Sequence, residues 1–267
     1  MSSAPIGIFD SGIGGLTVVK AVREALPAEN IIYFGDTARV PYGIKSEETV
    51  RSYALEITDF LMKRDVKMIL IACNTVSASA RNQIQEKAGD IPVLDVITAG
   101  TRAAMQYPKH KHIGVIGTLA TIGSKAYDKA IRKYDRDIKI TAEPCPLLVP
   151  LAEEGWTDDN IAEQVVRKYL QKFEDSNLDS LILGCTHYPL FKPMIRKVLH
   201  DPGIEIVDSA LSIAETAKKK LKELNLQNSA GNGGFQCFVS DRPQRFQELA
   251  ERFLGTDISD VQIVHRP

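Results

Sequence analysis

The chain has 267 residues, enough for one large α/β domain or two of roughly 100–150 residues, each able to bury a full core without metal or disulfide staples. Thirty-three Lys and Arg stand against 34 Asp and Glu, a net charge of −1 that argues against a general nucleic-acid binder, and 44% apolar with 25% charged residues excludes wholesale disorder. The start MSSAPIGIFDSG lacks the basic end and long apolar run of a secretory signal, and no apolar stretch approaches the roughly 18 residues of a membrane span. The expectation is a cytoplasmic protein with neither a nucleic-acid nor a membrane partner.

Short β-branched or apolar runs predict strands at Pro5–Phe9, Ile31–Phe34, Met68–Ala72, Val93–Asp95, His112–Ile116, Ile138–Ala142, Ser180–Leu183 and Glu205–Val207. Between them, apolar residues at helical spacing predict helices over Thr49–Lys63, Ile161–Phe173 and Ile213–Leu224, the last with Lys218–Lys222 on a solvated face. A loop of small and polar residues, Asn228–Gly234, precedes a last strand–helix–strand unit. Strands alternating with helices predict an α/β fold with a mostly parallel sheet covered by helices.

The chain also repeats itself. Ile6-Gly7-Ile8-Phe9-Asp10-Ser11 is similar to Ile113-Gly114-Val115-Ile116-Gly117-Thr118, and Met68-Ile69-Leu70-Ile71-Ala72-Cys73-Asn74-Thr75 to Ser180-Leu181-Ile182-Leu183-Gly184-Cys185-Thr186-His187. Each half thus holds a strand ending in Asp-Ser or Gly-Thr and a later strand ending in Cys and two polar residues.

Of the four cysteines, Cys145 and Cys237 read as small core residues, and the absence of a CxxC pair gives no support for a metal site. Cys73 and Cys185 differ, because each ends an apolar strand and precedes a predicted helix. Carboxyl ends of strands border the ligand crevice of an open α/β sheet, and a helix N-terminus favours thiolate and binds carboxylates. Two such thiols in related halves suit acid–base chemistry on opposite faces of one carbon: one sulfur takes a proton and the other returns one, inverting configuration. Two other chemistries stay open on the residues alone. A cysteine phosphatase needs an Arg bracketing the thiol in one tight loop, and Arg81 lies eight residues beyond Cys73. A nucleophilic pair of Cys185 with His187 leaves Cys73 without a role.

The Gly-rich turn Asp10-Ser11-Gly12-Ile13-Gly14-Gly15-Leu16-Thr17 is neither GxGxxG, since Thr17 stands at the third Gly, nor GxxxxGK[ST]. It is able to offer backbone N–H groups to an anion, and Asp10 at the strand tip is placed to polarise a thiol or an ammonium group. Asp36, Tyr42 and Gly43 follow the second strand, Thr118 and Thr121 fill the corresponding loop of the second half, and Asn74, Thr75, Thr186 and His187 set hydrogen-bonding groups beside the thiols. His110, His112, His200 and His265 read as surface or packing residues, and Trp156 and the remaining tyrosines as packing residues.

These segments, with Tyr33-Phe34-Gly35-Asp36-Thr37, Pro41-Tyr42-Gly43, Ala72-Cys73-Asn74-Thr75, Pro150-Leu151-Ala152-Glu153-Glu154-Gly155 and Leu183-Gly184-Cys185-Thr186-His187-Tyr188-Pro189-Leu190, closely resemble the aspartate/glutamate racemase superfamily, above all its glutamate-acting members. The resemblance implies two pseudo-symmetric α/β domains, 1–97 plus 210–267 and 98–209, with mostly parallel sheets and the active site in the cleft between them. It implies a cofactor-independent interconversion of L- and D-glutamate that supplies peptidoglycan synthesis, a homodimer, and no metal. Cys73 and Cys185 then match the acid–base thiols, assisted by Asp10 and His187. Asp10, Ser11, Tyr42, Gly43, Asn74, Thr75, Thr186 and His187 match the substrate-binding positions, and Asp36, Glu153, Thr118 and Thr121 are expected to support them. Some members carry an N-terminal extension tied to activation by a cell-wall precursor; with the motif starting at residue 5, such activation is not expected here. The C-terminal segment Phe238–Phe253 is expected to carry no chemistry.

Overall fold

The computed structural model describes residues 3–106, 109–174, 177–229, 231–258, 260–265 and 267; Ala230 of the predicted loop falls outside them. Two wholly parallel sheets organise the chain. The first has the order β10-β9-β2-β1-β3-β4, with β1 Ile6–Asp10, β2 Ile31–Gly35, β3 Met68–Ile71, β4 Val93–Asp95, β9 Phe235–Val239 and β10 Val261–Ile263. The second has the order β6-β5-β7-β8, with β5 His112–Gly117, β6 Lys139–Pro144, β7 Ser180–Gly184 and β8 Glu205–Asp208.

The block β2-β1-β3-β4 of the first sheet therefore has the same order as β6-β5-β7-β8 in the second, and the repeat in the sequence is a repeat in space. The two α/β domains are pseudo-symmetric, β1 with β5 and β3 with β7. Strand order reverses beside β1 and β3 in one and beside β5 and β7 in the other, and such a switch point opens a crevice at the carboxyl ends of its strands. Strands buried on both faces read as continuous apolar runs, which is why β1, β3 and β7 were legible.

The helices are α1 Leu16–Ala25, α2 Glu47–Met62, α3 Asn74–Ala88, α4 Val96–Ala104, α5 Leu119–Gly123, α6 Ala126–Ile131, α7 Leu148–Glu154, α8 Asn160–Leu170, α9 Lys192–Leu199, α10 Ser209–Glu223 and α11 Pro243–Leu254. Helices α4 and α10 pack against strands of both sheets and join the halves, so one apolar core runs from Ile8 and Val18 through Ile213 to Leu183. Side-chain caps set several starts: Ser46 Oγ accepts from the Thr49 amide at α2, and Asp95 from Thr98 at α4. No helix among the described residues is long and apolar enough to cross a membrane.

Three local expectations are corrected. The strand predicted at Ile138–Ala142 runs on to Pro144, tolerated because β6 is an edge strand paired only with β5. The helix predicted to Phe173 ends at Leu170 and tightens into a 3₁₀ turn over Gln171–Phe173. Trp156 does not pack in the core but stands about half exposed after the left-handed Gly155 that ends α7, and Tyr134 is likewise exposed.

Candidate active site

Strands β1 and β3 deliver the first half of the site. Asp10, the last residue of β1, is almost fully buried, and its Oδ2 accepts from the amides of Gly12 (3.1 Å) and Gly15 (3.0 Å) in the glycine turn, while Oδ1 has no partner among the described residues. Burial raises its pKa above the usual carboxylate value, against the opposing pull of the His187 charge and those backbone donors. Cys73 follows β3 and occupies the N-cap of α3, as expected, with its Sγ 3.7 Å from Ser11 Oγ. Burial, reinforced by the negative charge of Asp10, pushes the Cys73 thiol up to about 12, so it holds its proton at neutral pH.

Strand β7 delivers the second half, and here the expected helix start is missing. Cys185 is followed by a 3₁₀ turn, Tyr188–Phe191, and α9 begins only at Lys192. The polar partner of this thiol is a side chain of the same turn region. His187 Nδ1 lies 3.8 Å from Cys185 Sγ, and His187 Nε2 lies 3.1 Å from Glu153 Oε1 near the end of α7. Burial works against the imidazolium, but Cys185 and Glu153 outweigh it and hold His187 up at about 10. Phe253 of α11 packs edge-on against its ring at 5.3 Å. A cysteine sulfur and an imidazole in contact form a pair between which a proton passes readily.

The glycine turn locks the two halves together. A Cβ at Gly14 would stand 2.3 Å from Thr186 Oγ1 and 2.5 Å from His187 Nδ1, so only glycine admits this approach. Thr17, in the place of the third Gly of a dinucleotide fingerprint, has its hydroxyl 2.9 Å from the Gly14 carbonyl and 3.1 Å from that of Thr186. Tyr33 donates to the Gly12 carbonyl at 2.6 Å.

The remaining expected residues form the walls. Tyr42 donates to the fully buried Asp36, which also accepts from Arg39 Nε (2.6 Å) and Ser240 Oγ (2.7 Å); burial and then the Asp36 charge raise the Tyr42 pKa, keeping it a donor. Ser240 follows β9, so the C-terminal segment braces the loop of Asp36 and Tyr42 here as Phe253 braces His187. Across the cleft, Thr75 Oγ1 meets Thr118 Oγ1 (3.1 Å) and Thr121 Oγ1 (3.5 Å), and Thr118 caps α5.

The tips of both halves enclose one cavity of about 370 Å³. Cys73 and Cys185 both line it. So do Ser11, Tyr42, Gly43, Asn74, Thr75 and Thr118 from one side or the other, together with Glu153, Thr186 and His187. Asp10, Asp36 and Thr121 stand behind this lining and reach it through Gly12, Tyr42 and Thr118. Apolar Val40, Leu119, Val149 and Pro150 complete the wall. No group of three or more His, Cys, Asp or Glu that would hold a metal occurs among the described residues. Sequence reasoning missed Thr17, Tyr33, Arg39 and Ser240 as site-supporting residues. Thr17 carried a signal as the residue that breaks the glycine pattern, and Tyr33 as part of a family-matching segment.

A family model described as Asp/Glu/hydantoin racemase matches residues 6–217, which contain both thiols. The chain belongs to this family. It is an isomerase of the racemase class. Curated relatives include glutamate racemase of Chlorobaculum tepidum, 51% identical over 264 residues, 98% of this chain and 97% of that protein. Among solved structures, glutamate racemase of Francisella tularensis in complex with D-glutamate is 44% identical with a TM-score of 0.93, covering 99% of this chain and 98% of that one. Glutamate racemase isoform RacE1 of Bacillus anthracis is 38% identical with a TM-score of 0.94 at the same coverage. As a member of the family, the chain supplies its cleft with one cysteine from each of two related halves.

Proposed function

We propose that this protein interconverts L- and D-glutamate without a cofactor, with Cys73 and Cys185 as the two acid–base groups. The observation that carries the reading is that two thiols from equivalent strand ends line one cavity. At about 370 Å³ the cavity lies toward the small end of ligand sites, which run from roughly 300 to 1,000 Å³. The similarity to glutamate racemases over nearly the whole chain supports glutamate as the substrate.

In this mechanism one sulfur, as thiolate, takes the α-proton and becomes a thiol. The electron pair left at Cα is delocalised into the α-carboxylate, and the opposite thiol gives its proton to the other face and becomes the thiolate. Atoms and charge balance, and the reverse reaction exchanges the roles. Ser11, Asn74, Thr75 and Thr186, with the backbone at Gly43, suit two carboxylates as donors, and preorganised donors lower the barrier to an unactivated carbanion. Asp10 and His187 tune the thiols, with Glu153 behind His187 and Asp36 behind Tyr42. The ammonium group finds its counter-charge in the acids around the cleft. We further propose a cytoplasmic homodimer that supplies D-glutamate for peptidoglycan, with domains 1–97 plus 210–267 and 98–209.

The test is incubation of the purified protein with L-glutamate and, separately, L-aspartate, with no pyridoxal, nucleotide or metal added. Loss of optical activity is expected with glutamate. Faster loss with aspartate would move the substrate assignment to the shorter acid, and no turnover of either would leave a binding protein.

A further inference from the structure

We propose that Tyr127 is a positioning residue that fixes the Asn74 side-chain amide with its N–H₂ toward the cavity, making it a donor reserved for a substrate carboxylate; this rests on the function proposed above. Asn74 is the first residue of α3, adjacent to Cys73, and is 2% exposed. Its Oδ1 accepts from Tyr127 Oη at 2.7 Å. Its Nδ2 is buried and has no partner among the described residues, although Asn74 lines the cavity. A primary amide carries two N–H donors and an oxygen with two lone pairs, and Tyr127 takes one of those lone pairs and fixes which end of the amide is oxygen. The group left without a partner is the N–H₂ donor, which matches an anion. A buried amide N–H left unpaired is costly, and a carboxylate oxygen relieves that cost on binding.

Tyr127 is built to hold this orientation. It sits on α6 in the second half, also 2% exposed, and burial raises its pKa, so it remains a neutral phenol with a proton to give. Its ring rests against Gly184, where a Cβ would stand 3.0 Å from Tyr127 Cε2 and 2.7 Å from the Ile116 carbonyl. Gly184 precedes Cys185, and Asn74 follows Cys73. One side chain therefore touches the neighbours of both thiols, and the donor is correctly turned only while the two halves keep their spacing.

The test is Tyr127→Phe, which keeps the ring and its packing and removes only the hydroxyl. We expect KM for glutamate to rise about tenfold in both directions, the scale of one charge-assisted hydrogen bond, with kcat within about threefold. In the Asn74→Ala background the same change is expected to add nothing. Binding of glutarate, a dicarboxylate without an ammonium group or stereocentre, is measured by calorimetry in parallel and is expected to weaken by the same factor. A folded Tyr127→Phe protein with unchanged KM and glutarate affinity would overturn the proposal, as would an equal effect with and without Asn74. Should Tyr127→Phe fail to fold, the side-chain amide NMR signals of the wild type decide: the pair absent from Asn74→Ala must shift on adding glutarate, and an unmoved pair contradicts the proposal. Wild-type protein that binds glutarate but leaves glutamate unracemised would defeat the function reading while leaving the Tyr127 test intact.

Discussion

At the tip of β3, Cys73 caps a helix of 15 residues, with Ser11 3.7 Å from its sulfur and the buried Asp10 nearby. At the tip of β7, Cys185 precedes a 3₁₀ turn, and its polar neighbour is His187, held by Glu153. The strand frames agree in order and direction. The difference lies in what surrounds each sulfur: on one side burial and a carboxylate keep the proton on the thiol, and on the other an imidazolium stands ready to exchange one. A repeated fold thus brings two sulfurs to one cavity, and the side chains around them do not repeat. Symmetry sets the places; local chemistry sets the protonation.

Removing either sulfur breaks the comparison most severely. Cys73→Ser and Cys185→Ser are each expected to lower racemisation by at least about 10²–10⁴-fold in both directions, because the proposed mechanism uses both groups in every turnover. Wild-type rates in either variant would end the two-thiol mechanism. Next in size is Gly14→Ala, whose methyl group would push Thr186 and His187 away from the cavity. We expect a loss of about 10²-fold in kcat and about 1–3 kcal/mol of stability, read from kinetics and denaturant unfolding.

Glu153→Gln sharpens the difference between the halves. His187 is raised from an ordinary 6.5 to about 10, so its contribution to stability is fully present below pH 6.5 and is lost as pH rises through about 10. Losing the Glu153 carboxylate lowers the folded value, so both the alkaline fall in stability and the alkaline limb of kcat/KM should move toward neutrality. Rate and unfolding profiles from pH 6 to 10.5 check this, and an unchanged alkaline limb would remove Glu153 from the pair. Smallest is Tyr42→Phe, which takes one of three side-chain donors from Asp36. A stability loss of about 0.5–1.5 kcal/mol is expected by chemical unfolding, with KM rising more than kcat falls.

Much of this was legible in the sequence, for identifiable reasons. Doubly buried parallel strands leave unbroken apolar runs, and the recurrence of Cys after two of them announced the paired halves. The β2-β1-β3-β4 order was not legible, since pairing is decided by residues far apart in the chain. The site was legible where its residues lie beside a strand end, as at Asp10, Cys73, Thr118 and Cys185. It was illegible where partners come from a distance. Tyr127 bonds Asn74 across 53 residues and Ser240 bonds Asp36 across 204, and neither has a local pattern to mark it. The helix expected directly after Cys185 begins only at Lys192, behind a 3₁₀ turn, and the C-terminal segment proved to be a brace through Ser240 and Phe253. Periodicity reports which face of an element is buried, but not what it will meet.

The most direct test of two opposed thiols is the fate of the α-hydrogen during the first turnovers of L-glutamate in deuterated water. Two bases, one on each face, predict D-glutamate that carries solvent deuterium at Cα while the remaining L-glutamate stays unlabelled. Product that keeps the substrate's own α-proton would mean a single group serving both faces, and would contradict the assignment of Cys73 and Cys185 to opposite sides of the substrate.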